Sequence, residues 1–134
     1  MTKWTHLLDN IPANFPEDEP VFMLNLLQFY DQAQYTEGST YSPCSGQEAI
    51  VRYATEFRIL ATEAGGFELA YLGLRASYIV GEDSEKWDAV VLLRYTNIEI
   101  FRKTLGSDDY AATAVERRDA ALKDWKLIAS FQTK

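Results

Sequence analysis

The chain has 134 residues, 13 of them basic and 20 acidic, which gives a formal net charge of −7. This length suits one domain with one hydrophobic core. The negative charge repels phosphate backbones and anionic lipid headgroups, so we expect neither nucleic acid nor a membrane as a partner. The single cysteine cannot form an internal disulfide, and no apolar stretch approaches the ~18 residues of a membrane span, so we expect a cytoplasmic protein.

Residues 1–20 are predicted to form an arm packed on the edge of the domain, which itself spans residues 21–134. A short helical pattern in this arm is stopped by Pro12. His6 is the chain's only histidine, and no cysteine lies near it, so it is a weak metal ligand. The sequence also lacks a glycine-rich phosphate loop. We therefore expect neither a metal nor a cofactor.

Val21–Phe29 is the stretch around which the domain is organised, because it is apolar at both odd and even positions. Such a run predicts a central strand that is buried on both faces. Asn25 is the polar exception, and a buried amide without hydrogen-bond partners costs about 1–3 kcal/mol. Asn25 is therefore either a structural clasp or part of a site.

The polar residues 30–43 follow this strand and carry three tyrosines. Their length is compatible with an ordinary surface excursion or with a lid over a site. Ser45 and Glu48 then form a capping box, which predicts the start of a helix. Apolar residues recur at helical spacing as far as Ala64, where a pair of glycines ends the helix.

The second half of the chain is predicted to add two more strands, two helices and a last strand. Residues 67–76 and 87–95 read as strands, joined through the polar turn 81–86 as an antiparallel hairpin. Asn97 caps a short helix, and an acid-rich segment begins the next one. Residues 125–132 close the chain as a strand.

This order of elements predicts an α+β fold of the ferredoxin-like βαββαβ type, with one antiparallel sheet and two helices over one of its faces. The strands are nevertheless apolar on both faces, so the second face also requires a cover. The same sheet of a second subunit supplies one, and we therefore expect a homodimer whose sheets meet face to face.

The last predicted helix has an apolar stripe formed by Tyr110, Ala111, Ala114, Val115, Ala121 and Leu122. Arg118 lies on this stripe, whereas Arg117 points away from it. A guanidinium directed at the core needs an anionic or aromatic partner, because burying it alone is prohibitive. The candidate partners are Asp88, an aromatic face and a bound anion.

Several short motifs occur in an order and spacing typical of one family. They are residues 23–27 (MLNLL), Gly65 with Gly66, Trp87 with Asp88, residues 93–95 (LRY), Asp109 with Tyr110, and residues 118–122 followed by Leu127 and Ile128. By these motifs the chain resembles the domain of unknown function 1330 family, within the dimeric α+β barrel superfamily, over roughly residues 20–130. The resemblance implies a ferredoxin-like fold. Arg117 stands where that family often has a histidine, which leaves acid–base chemistry at this position in doubt.

The candidate ligand-binding residues are an amide, two rings, two guanidiniums and a carboxylate: Asn25, Trp87, Asp88, Arg94, Tyr110 and Arg118. Arg94 and Arg118 are suited to clamping a carboxylate. The set therefore predicts that the protein binds a small anionic or polar-aromatic molecule between the sheet and the helices. A structural network, in which Asp88 pairs with one of the arginines, is the alternative interpretation of the same residues.

Two further functions stay open. The superfamily resemblance suggests a cofactor-free enzyme of the oxygenase or isomerase type, which is an analogy from fold alone. The sequence offers no Ser–His or Cys–His pair and no convincing general base, so we leave open whether the protein is an enzyme. The other possibility is a purely structural or regulatory dimer.

Overall fold

A computed structural model describes residues 4–82 and 85–133. Within these ranges, four strands form one antiparallel sheet and three α-helices accompany it: β1 (Val21–Phe29), α1 (Gly46–Ala64), β2 (Glu68–Leu74), β3 (Ala89–Tyr95), α2 (Ile98–Leu105), α3 (Val115–Ala121) and β4 (Leu122–Ser130). The strand order is β2-β3-β1-β4, with β1 and β3 at the centre of the sheet. The predicted α+β, ferredoxin-like architecture is confirmed.

The predicted helix starts and stops are present. The Ser45 hydroxyl accepts a hydrogen bond from the Glu48 backbone N–H at 3.0 Å, and the Asn97 side chain accepts one from Ile100 at 3.3 Å. Gly65 and Gly66 end α1 with φ angles of 135° and 86°, a region that glycine enters without steric cost. In the capping box, Glu48 bonds to the Ser45 hydroxyl rather than to its backbone N–H.

The last predicted helix differs from the expectation, because it opens with the π-helical segment Tyr110–Ala114 before α3 begins. A π turn is wider than an α turn, so it rotates the residues before it relative to those after it. Ala111, expected on the apolar stripe, is exposed as a result. Leu122 was also expected on that helix, but it begins β4.

The connection between β2 and β3 is longer than the predicted short turn. The two strands pair antiparallel, with Leu74 opposite Ala89, so residues 75–88 join them. The Trp87 backbone N–H donates to the Tyr78 hydroxyl at 2.9 Å, and this contact holds the connection outside the sheet. The apolar residues 78–80 look in the sequence like a continuation of β2 past a kink, but they lie in this connection and form no strand. Asp83 and Ser84 of the predicted turn lie outside the described residues.

The two faces of the sheet are both apolar, but they are covered unequally. Toward the helices, Val21, Met23 and Leu27 of β1 are buried, together with Phe57 and Ala61 of α1. The side chains of the opposite face are only partly buried, although they include Phe22, Leu24, Leu26, Val90 and Leu92. This second surface, the open sheet face, is the one expected to meet another subunit.

The predicted N-terminal arm packs along the domain as far as it is described, since residues 1–3 lie outside the described ranges. It contains the short 3-10 helix Leu7–Asn10. Trp4 meets Trp125 of β4 edge to face at 5.5 Å between ring centres. No helix in the described part of the chain combines the length and apolarity needed to cross a lipid bilayer.

Residues 30–43 lie against the π segment and α3. The Ser39 hydroxyl bonds to the Glu116 carboxylate at 2.8 Å, and the Arg117 guanidinium lies 3.8 Å from the centre of the Tyr41 ring. These contacts match the expectation of a surface excursion whose tyrosines pack on the body of the domain.

Candidate ligand-binding site

A cavity of about 460 Å³ lies between the sheet and α1. This volume is within the range of about 300–1,000 Å³ that is usual for small-molecule sites. Its apolar wall is formed mainly by Met23, Leu27, Ile50, Ala54, Phe57, Ala89, Val91, Leu93 and Leu127. The cavity opens between β2 and α1, where Val51, Leu72 and Leu74 line it and are each about three-fifths exposed.

Arg118 forms the charged end of this cavity, although its side chain is only 2% exposed. Its Nε donates to the Asp119 carboxylate at 3.1 Å, and its Nη1 donates to the Tyr110 hydroxyl at 3.0 Å. The guanidinium also lies 5.4–5.8 Å from the ring centres of Trp4, Tyr110 and Trp125. Its Nη2 also donates to the Trp4 backbone carbonyl at 3.5 Å. Oxygen acceptors and aromatic rings therefore surround the buried charge.

The electrostatic balance at Arg118 favours the charged form. Burial lowers the pKa of the guanidinium, but the neighbouring Tyr110, Asp119 and Tyr53 raise it, and the net effect is a raised pKa. Arg118 is thus a permanent cation inside the domain.

The cavity is also lined by two tyrosines, one of which contacts Tyr110. The Tyr53 hydroxyl is 2.8 Å from that of Tyr110, so the two share one hydrogen bond. Tyr53 lines the cavity, as does the fully buried Tyr95. The Tyr95 hydroxyl has no hydrogen-bond partner among the residues that the structure describes. Burial raises the pKa of both tyrosines, so both remain protonated at neutral pH.

Asn25 lines the cavity, but its amide is already engaged. Trp125 Nε1 can only donate, so the atom it contacts at 3.0 Å is the Asn25 Oδ1. The Asn25 Nδ2 donates to the backbone carbonyls of Met23 at 3.3 Å and Val91 at 3.4 Å. Asn25 therefore acts as a clasp that fixes the Trp125 ring in the cavity wall, and both amide hydrogens are used.

The structure brings Asn25, Tyr110 and Arg118 together around one end of the cavity and places the other three predicted residues elsewhere. Arg94 pairs in register with Phe22 and Glu68, and it projects from the open sheet face. Neighbouring residues of a strand point to opposite faces, and Tyr95 lines the cavity, so Arg94 points away from Arg118. The Arg94–Arg118 clamp is therefore absent from the single chain.

Asp88 and Trp87 contact groups at the ends of the strands and do not line the cavity. The Asp88 carboxylate accepts a hydrogen bond from the Phe29 backbone N–H at 2.8 Å. The Trp87 carbonyl accepts from the Arg75 side chain at 2.7 Å. Asp119 rather than Asp88 is the carboxylate beside Arg118.

Sequence reasoning missed Tyr53, Tyr95 and Asp119. Tyr53 falls on the apolar stripe of α1, which predicts core packing, because periodicity shows which face of the helix a ring is on but not what its hydroxyl contacts. Tyr95 alternates with Val91 and Leu93, but β3 is apolar on both faces, so this alternation does not show which face lies toward the helices. Asp119 follows Arg118 directly, and adjacent helical residues do not ordinarily face each other.

Two crystal structures of one protein resemble the whole chain. The RPA0582 protein of Rhodopseudomonas palustris, a protein of unknown function, has a TM-score of 0.82 at 24% identity, and the match covers 98% of this chain and 95% of that one. The methylated RPA0582 protein has a TM-score of 0.83 at 26% identity, with coverage of 98% and 93%. The likeness therefore extends over the described arm as well as the sheet.

More distant structures share the fold. A hydroxynitrile lyase from Passiflora edulis has a TM-score of 0.54 at 14% identity, covering 87% of this chain and 96% of that one. A dabb family protein with a ferredoxin-like fold from Mesorhizobium loti has a TM-score of 0.53 at 7% identity, covering 86% and 98%. No family model and no curated protein matches the chain, so the name of the domain of unknown function 1330 family is not confirmed. The comparisons establish a ferredoxin-like fold.

Proposed function

We propose that this protein binds a small, mostly apolar molecule in the cavity between the sheet and α1, with a polar group of the ligand at the end formed by Tyr53 and Arg118. The observation that carries the proposal is the cavity itself, which has an apolar wall, one polar end and an open mouth. This arrangement is typical of sites in which shape supplies affinity and a few polar atoms fix orientation.

A packing defect does not account for this space. Protein interiors contain few voids larger than a water molecule, and each cubic ångström of core cavity costs about 24 cal/mol in stability. A dry apolar cavity of about 150 Å³ already binds benzene-sized molecules. The cavity here is about 460 Å³ and is open to solvent beside β2, so it is large enough and accessible enough to receive a small molecule.

The charges around the cavity distinguish between the two ligand types expected from sequence, an anionic and a polar-aromatic molecule. Arg118 already contacts the Asp119 carboxylate, and Arg94 lies on the other face of the sheet. At the buried end of the cavity, a strongly anionic ligand would therefore meet one partly neutralised guanidinium instead of a two-arginine clamp. Arg58 also lines the cavity, but it is exposed to solvent. The rings of Phe57 and Trp125 in the wall suit an aromatic body, so of the two predicted ligand types the polar-aromatic one is favoured.

Occupancy of the cavity can be tested with α-methylstyrene, an apolar aromatic probe, by isothermal titration calorimetry. Ala54→Trp places a large ring at the mouth and is expected to abolish binding, because Ala54 is exposed and lines the cavity. Thr55→Trp is the matched control, since Thr55 is exposed on the same helix and does not line the cavity. Absence of binding to the wild type, or equal binding to both variants, would contradict the proposal.

We also propose that a second copy of the chain covers the open sheet face. The support is the row of partly exposed apolar side chains along β1 and β3, among them Leu24, Leu26 and Leu92. Obligate homodimers bury such surfaces, commonly about 2,000 Å² or more in total. The cavity lies on the helical side of the sheet, so each subunit would keep its own site.

A further inference from the structure

We infer that the ligand of this cavity carries a hydrogen-bond acceptor oxygen, of the ketone or aldehyde type, on an aromatic body, and that Tyr53 donates its hydroxyl proton to this oxygen. The inference rests on the proposed function, because it names the chemical class that the same cavity selects. It follows from counting the protons in the series Arg118, Tyr110 and Tyr53.

Arg118 fixes the first direction in the series. A guanidinium has no acceptor atom, so in the 3.0 Å contact Arg118 Nη1 donates and the Tyr110 hydroxyl oxygen accepts. The contact of 2.8 Å between Tyr110 and Tyr53 then has two possible directions, because either hydroxyl is able to donate.

The two directions differ in what they leave unsatisfied. If Tyr53 donated to Tyr110, the Tyr110 proton would need a third partner, and Tyr110 is only 2% exposed. Among the described residues, the hydroxyl of Tyr110 has hydrogen bonds with Arg118 and Tyr53. A buried donor without an acceptor costs about 1–3 kcal/mol. The satisfied arrangement is therefore Arg118 to Tyr110 and Tyr110 to Tyr53.

In this arrangement the Tyr53 proton is not used by Tyr110, and because Tyr53 lines the cavity, a ligand there can accept it. Burial and the nearby Tyr110 raise the pKa of Tyr53, which keeps the proton on its oxygen at neutral pH. Hydrogen bonds in series strengthen one another, and this series begins at a cation. Tyr53 is thus a reinforced donor, which suits an oxygen with partial negative charge, such as a carbonyl oxygen.

The same count of hydrogen-bond donors and acceptors disfavours an amine or ammonium ligand. The polar end contains the cation Arg118, which repels a second cation. Its acceptor oxygens already receive hydrogen bonds, the Tyr53 hydroxyl oxygen from Tyr110 in this arrangement and the Asn25 Oδ1 from Trp125. The Tyr53 proton is therefore the group at this end that is left for a ligand.

The test uses two probes of matched shape, acetophenone and α-methylstyrene, which differ in having an oxygen or a CH₂ group at the same position. Tyr53→Phe is expected to weaken acetophenone binding by about tenfold, which corresponds to one net hydrogen bond, and to leave α-methylstyrene binding unchanged. Tyr41→Phe is the matched control, because the Tyr41 hydroxyl contacts the Thr113 carbonyl and does not line the cavity.

The carbonyl stretching frequency of bound acetophenone gives a second measurement. It should shift to lower frequency in the wild type, as for a hydrogen-bonded ketone, and the shift should be lost in Tyr53→Phe. Equal weakening of both probes, or an unchanged acetophenone affinity and frequency, would overturn the assignment of Tyr53. Failure of both probes to bind the wild type would instead refute the proposed function.

Discussion

Replacing Arg118 with leucine should cost the protein about 3 kcal/mol of unfolding free energy. Removing one partner of a buried ion pair typically costs about 3–5 kcal/mol, because the remaining charge loses its compensation. The Asp119 side chain is 17% exposed and keeps some contact with water, so we expect the lower end of this range. The leucine retains the apolar contacts of the stem with the surrounding rings.

Urea unfolding of Arg118→Leu, Asp119→Asn and the double variant measures the coupling between the two side chains. We expect the unfolding free energy lost in the double variant to be about 1–2 kcal/mol smaller than the sum of the losses in the two single variants, because the two charges are in contact. The matched cycle with Asp88→Asn should be additive, because the Asp88 carboxylate is bonded to the Phe29 backbone. A loss below about 1 kcal/mol in Arg118→Leu, or coupling to Asp88 instead of Asp119, would refute this assignment of the pair.

Three further results are expected. Tyr95→Phe should leave stability unchanged or raise it by about 1 kcal/mol, because it removes a buried hydroxyl that lacks a partner among the described residues; a clear loss in urea unfolding would contradict this. The pKa values of Tyr53 and Tyr95 are raised, so above about pH 10 the unfolded chain loses protons that the folded chain keeps, and the stability of the folded chain should fall as the pH rises. Tyr53→Phe should make this fall shallower in thermal melts, and an equal slope in the variant and the wild type would argue against burial of the Tyr53 hydroxyl. Light scattering should give twice the 15.3 kDa mass of the chain, whereas the monomer mass at micromolar concentration would exclude the proposed dimer.

The elements of this fold are predictable from sequence where local chemistry specifies them. The capping side chain of Ser45 and the glycine pair after Ala64 bound α1 correctly, and the apolar run Val21–Phe29 forms a central strand. The long β2–β3 connection is not specified locally, because it depends on the contact between Tyr78 and Trp87 across nine positions. The π segment before α3 likewise has no pattern of its own in the sequence.

The site is only partly predictable from sequence, because the central strands are apolar on both faces. Period-two alternation identifies the inward face of a strand when the other face is polar. β3 is apolar on both faces, so the sequence does not show that Arg94 points away from the helices whereas Tyr95 points toward them. Arg118 was identifiable because its helix has one apolar stripe, which an arginine interrupts.

A crystal structure of the protein with acetophenone bound is the most direct test of ligand binding in this cavity. We expect the phenyl ring to lie against the apolar wall near Phe57 and Trp125, with the ketone oxygen at hydrogen-bonding distance from the Tyr53 hydroxyl. Acetophenone bound outside this cavity, or bound within it with its oxygen directed at the mouth between β2 and α1, would show that the cavity does not select a carbonyl ligand through Tyr53.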